Sequence, residues 1–268
     1  MSAEVRFQAG KLFLKKYQEV FTMINTSVKD RLMVLFPYGH FDWSISSREN
    51  IYNIVSTAAY KDMTPRHLKG IGKYKSEKAE IFSYTTNQLV DYFSQPVKNK
   101  EEFEEWHKNL CEEVCRRFSA LPGIELMYGK AQKLINITFK HLYCFGDANK
   151  KENYFKYCHI PIDNNIISWC KKNVGITSLP TAWSNLSYSD YIKLEDSLYS
   201  WLNSEKNIEY HNDDGTPYSR LQIDFIAWIS KSDARKGVIE YWKSIQRSSD
   251  IWNQYKETVV SVLSELEE

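Results

Sequence analysis

KYCHIPIDNNIISWC, residues 156–170, sets one aspartate, Asp163, in a run of Ile160, Ile162, Ile166, Ile167 and Trp169 that otherwise belongs in a core. A carboxylate buried without partners is costly. Pro161 favours an extended approach, and the residues after Asp163 read as a short helix, whose free N–H groups and dipole favour a negative side chain at its start. The stretch therefore predicts a helix introduced by Pro161, with Asp163 near its N-terminus. Two uses of Asp163 stay open: capping alone, or capping together with chemistry.

Working outward, helical periodicity dominates. Residues 9–24 (AGKLFLKKYQEVFTMI) place Leu12, Tyr17, Val20, Phe21 and Ile24 on one stripe, and residues 47–60 do the same with Ile51, Ile54, Val55 and Ala58. SEKAEIFSYTTNQLVDYF, from Ser76, continues the pattern up to the proline-bearing SQPVKNK. EEFEEWHKNLCEEVCRRF, from Glu101, has acids in its first turns and Arg116 and Arg117 in its last, the charge order a helix dipole prefers. Residues 120–129 (ALPGIELMYG) break the pattern before a further helix from Lys130. SYSDYIKLEDSLYSWLN, DARKGVIEYWKSIQ and IWNQYKETVVSVLSEL predict three more helices, and residues 208–223 carry the turn signal of a small β-hairpin or a loop. The expected architecture is all-α in two packed lobes, residues 1–98 and 99–268, with a soft boundary that also permits one compact domain.

The formal net charge is +1, but charge is unevenly spread. From Lys61 to Lys78 there are six Lys or Arg against two acids, and from Gly129 to Lys172 eight Lys against three acids. One basic face would suit a polyanion; solvated helix faces would give the same counts. No apolar run approaches a membrane span and no leader opens the chain, so a cytoplasmic protein without membrane contact is expected. Five cysteines at irregular spacing argue against a secreted disulfide framework. His107, Cys111 and Cys115 share one helix face, with Cys158 and His159 as further candidates, yet the short paired spacings of a zinc site are missing. Neither a metal nor a cofactor is expected.

Two segments carry the chemistry. GIGKYKSEKA, residues 70–79, is glycine-rich, basic and leads into a helix, so Gly70, Gly72, Lys73 and Lys75 are candidate contacts to a nucleic-acid backbone, with an ordinary surface turn as the alternative. LPGIELMYGKAQK, residues 121–133, is a Gly/Pro turn followed by a helix whose first turns hold Lys130 and Lys133. An LPG loop, a lysine-bearing helix, a connection, then proline, an aliphatic residue, aspartate and another helix: this order resembles the helix-hairpin-helix base-excision DNA glycosylases, over about residues 121–172.

The resemblance implies an enzyme that releases a modified or damaged base from DNA, in a genome-defence setting among others, with Asp163 essential and either Lys130 or Lys133 at the lysine position. It implies that Gly123 and Gly129 belong to the hairpin that grips DNA. The connection between the lysine and the aspartate is longer than usual, so activity without a lysine nucleophile is the default expectation. Phe41, Asp42, Trp43 and Tyr128 are candidate walls for an extruded base, with a place in the core as the alternative. A noncatalytic helical protein that binds nucleic acid or a protein partner is the competing reading.

Overall fold

The computed structural model describes residues 51–63, 68–145, 147–176 and 182–244, together with Leu32, Lys256, Val260 and Ser264. The helix expected over 9–24, the candidates Phe41, Asp42 and Trp43, and most of the final expected helix lie outside the described residues. The described helices are α1 (Ile51–Asp62), α2 (Lys75–Ser94), α3 (Lys100–Ser119), α4 (Tyr128–Cys144), α5 (Asn164–Asn173), α6 (Tyr188–Leu202), α7 (Arg220–Ile229) and α8 (Ser232–Ser244). Short 3-10 turns join them, and the described chain is all-α, as its periodicity predicts. Among the described residues no helix is long and apolar enough to cross a membrane.

The helix starts follow from capping. Asn99 Oδ1 accepts the Glu102 N–H and Glu102 Oε2 accepts the Asn99 N–H, each at 2.9 Å, which closes a capping box ahead of α3. Ser219 and Gln222 make the same box at α7. That second box decides residues 208–223. With α7 starting at Arg220, little chain is left for a second strand, and of the two readings, hairpin or loop, the loop holds, closed by one isolated bridge, His211 to Pro217.

α4 is the axis of the fold. Every residue of it except Lys133 is buried. It packs against α1, α3, α6 and the 3-10 turn Trp183–Asn185, and α2 packs against α1 and α3. One hydrophobic core runs from Leu32 to Trp242, across the expected boundary near residues 96–101. A helix buried on all sides must satisfy each polar side chain internally. In α4 those side chains are Lys130, Gln132, Asn136, Thr138, Lys140 and His141.

Gly129 belongs to the first turn of α4 rather than to the preceding break. A Cβ there would lie 2.0 Å from Trp183 O, so the missing side chain is what lets the Trp183 turn seat against α4. Gly129→Ala is expected to destabilise by about 1–3 kcal/mol through overpacking. Gly72→Ala, with nothing within 4 Å of the new carbon and no left-handed φ, is expected to stay within about 0.5 kcal/mol of wild type. Chemical denaturation of both variants checks this, and equal losses would contradict it.

Candidate active site

The path to Asp163 is a buried extended stretch. Cys158, His159, Ile160, Pro161 and Ile162 are all buried, and none belongs to a helix or strand. Buried backbone N–H and C=O groups need partners, and here no sheet supplies them. Pro161 removes one donor from the problem and holds Ile160 extended. The Cys158 N–H donates to Phe155 O at 3.1 Å, and side chains of α4 serve Ile160 and Ile162. Gln132 Oε1 accepts the Ile162 N–H at 3.2 Å and Gln132 Nε2 donates to Ile162 O at 3.0 Å. One amide thus imitates a neighbouring strand. Asn136 Nδ2 donates to Ile160 O at 3.2 Å.

A buried polar network fixes these amides in turn. His107 Nε2 donates to Asn136 Oδ1 at 2.7 Å, and burial pushes the His107 pKa down to about 4. Asn136 Nδ2 also reaches the Tyr191 hydroxyl at 3.0 Å, which lies 2.6 Å from His159 Nδ1. Burial holds His159 neutral, well below the usual histidine range, so the hydroxyl donates to it. Arg220 lies behind, with Nη2 donating to Tyr157 O at 2.9 Å, Nη1 3.4 Å from Glu104 and Nε 3.5 Å from Glu195.

Asp163 emerges from this scaffold as the N-cap of α5. Its Oδ1 accepts the N–H groups of Asn165 at 2.8 Å and Ile166 at 3.0 Å. Its Oδ2 is left over from capping and receives Lys133 Nζ at 3.4 Å. The side chains of Lys133 and Asp163 are 12% and 18% exposed, so the pair reaches solvent at one edge. Lys133 Nζ also stands 4.5 Å from the centre of the half-buried Trp183 ring. The chain matches no family model, no curated protein and no solved structure.

The other candidates fall in different places. Lys130 is buried, its Nζ has no hydrogen-bond partner among the described residues, and burial lowers its pKa. Tyr128 is spent in the core, its ring 5.4 Å from Tyr188 and 5.2 Å from Tyr191, so it forms no open wall. Gly70 and Gly123 adopt left-handed backbone (φ 86° and 78°) in exposed turns, and the Tyr74 hydroxyl joins those turns by donating to Pro122 O at 2.8 Å. Lys73 is exposed on the same turn as Gly70 and Gly72, and Lys75 is exposed as the first residue of α2. Gly129 is held apart from that surface by its packing under Trp183.

Three residues at or beside the site have no counterpart in the sequence reading. Trp183 sits in the loop segment AWSN, which carries no helical period. Lys140 and Asp224 form a buried ion pair between α4 and α7, close enough for the charges of Asp163 and Lys133 to act on Asp224. Their signal is the one Asp163 gives: a charge inside an apolar helix, in ITFKHLY and LQIDFIAW.

Glu195 makes the network pH-sensitive. Burial, opposed by Arg220, pushes its carboxyl up to about 8. An unfolded glutamate ionises near pH 4.3, so stability tied to the protonated form is lost as pH rises through about 8. The buried histidines act only below about pH 6.5. Between about pH 6.5 and 8, wild-type stability is expected to fall by up to about 1.4 kcal/mol per pH unit, and Glu195→Gln to remove that slope. Urea denaturation across this window measures both, and parallel slopes would contradict the assignment.

Proposed function

We propose that the chain is a DNA N-glycosylase-like hydrolase that releases a modified or damaged base, with Asp163 as its catalytic carboxylate. One observation carries the reading. Asp163 Oδ1 is committed to the first turn of α5, whereas Oδ2 points away from the cap toward Lys133 at a partly exposed edge. Capping fixes the carboxylate in position and leaves one oxygen for another charge.

The chemistry follows from that geometry. The target base leaves the stack, because its glycosidic bond is out of reach inside a duplex. As the bond from C1′ to the base nitrogen breaks, positive charge grows on the sugar, and a fixed carboxylate stabilises it with little reorganisation. Water then bonds to C1′ through its oxygen and loses one proton, and the base leaves with its bonding electron pair and takes up that proton. Lys133 Nζ is directed at Asp163 Oδ2, 3.4 Å away, an arrangement that supports hydrolysis by water rather than attack by that lysine. The turns at residues 70–75 and 121–123, joined by Tyr74 and Pro122, offer exposed lysines and backbone to the phosphates.

The test is Asp163→Asn, because asparagine caps helices about as well as aspartate and the fold should survive. Base release on modified DNA, read as abasic sites, is expected to fall at least about 100-fold, with DNA affinity unchanged. Equal product from the variant would overturn the assignment. A wild type that binds DNA with steep salt dependence and releases no base would establish the binding-only reading instead.

A further inference from the structure

Asp163, Lys133 and Trp183 form a small box with two rigid walls and one loose occupant. The first wall is Asp163 Oδ2, immobilised because Oδ1 caps α5 at 2.8 and 3.0 Å. The second is the Trp183 ring. Its turn is pinned to α4 by the Gly129 N–H donating to Leu186 O at 3.1 Å and by the close approach of Trp183 O where Gly129 has no side chain.

The occupant is the Lys133 ammonium. It makes a single 3.4 Å contact to the carboxylate, longer than the roughly 2.8 Å of a tight charge-assisted bond. It lies 4.5 Å from the indole centre, within cation–π range. Lys133 is also the one residue of α4 that is not buried, and its flexible stem can swing toward solvent without disturbing the helix. The neighbouring Lys140 pairs with Asp224, so it does not compete for this space.

We propose that the carboxylate of Asp163 and the face of Trp183 together form the binding site for the positive charge that develops on the sugar, and that Lys133 fills this site as a placeholder until substrate displaces it. Trp183 is then a catalytic residue that touches the substrate. Lys133 is a positioning residue that keeps the site filled in the free protein. The inference rests on the glycosylase reading for its substrate but makes a separate claim about how charge is held. A ligand whose sugar position carries a permanent positive charge should compete with Lys133, and a neutral ligand of the same shape should not.

The probes are short duplexes with one abasic-site analogue, either a pyrrolidine, which is cationic, or a tetrahydrofuran, which is neutral. The readout is the ratio of the two dissociation constants. Lys133→Gln removes the competing charge from the box and is expected to raise the preference for the cation about tenfold over wild type, with Lys133→Met as the second variant should the first not fold. Trp183→Leu is expected to lower the preference roughly three- to tenfold, with Trp183→Phe keeping most of it. Asp163→Asn is expected to abolish it.

Equal preference in wild type and all variants would overturn the box. If wild type releases bases and shows no preference, the box alone falls. If wild type binds neither duplex and releases no base, the glycosylase reading falls and the box with it.

Discussion

Burying an extended strand-like segment where there is no sheet is the constraint on which this structure depends. Residues 158–162 pass through the core, and amide side chains from α4 serve the backbone of Ile160 and Ile162. Gln132 exchanges two hydrogen bonds with Ile162, at 3.2 and 3.0 Å, as a paired strand residue would. A buried donor or acceptor left without a partner costs about 1–3 kcal/mol. That penalty is avoided only while Gln132 and Asn136 stay in place, and those two are fixed by His107, Tyr191 and the packing of α3 and α6. The polar interior of α4 and the position of Asp163 are therefore one problem with one solution.

This arrangement explains why α4 is buried on all sides although its sequence is rich in polar residues. Its amides serve the extended stretch, Lys140 meets Asp224, and Gly129 admits the Trp183 turn. Lys133 alone reaches the edge. The site and the core are thus continuous, with the candidate carboxylate standing at a partly exposed edge of a largely buried network. Rigid support behind a partly exposed charged group is the organisation that electrostatic catalysis requires.

Much of the framework was legible in the sequence. The helix beginning after Asp163, the charge order of α3 and the long apolar pattern of α4 are local features, and local physics determines them. Asp163 and either Lys130 or Lys133 are candidates from the sequence, and in the fold it is Lys133 Nζ that stands 3.4 Å from Asp163 Oδ2. Lys130 and Lys133 could not be separated beforehand because three residues along a helix keep both on one side. Gly129 read as turn grammar, whereas its reason is the carbonyl of a residue 54 positions away. Trp183 and Gln132 were illegible for the same cause: each takes its meaning from a partner on another element, which no periodicity encodes.

The central claim is that α4 side chains stand in for a strand and so present Asp163. Amide hydrogen exchange at Ile162 tests it most directly. If Gln132 Oε1 holds this N–H inside the core, Ile162 exchanges as slowly as the buried amides of α4 and opens only with the whole fold. Exchange at the rate of an exposed loop such as residues 212–216 would contradict the account.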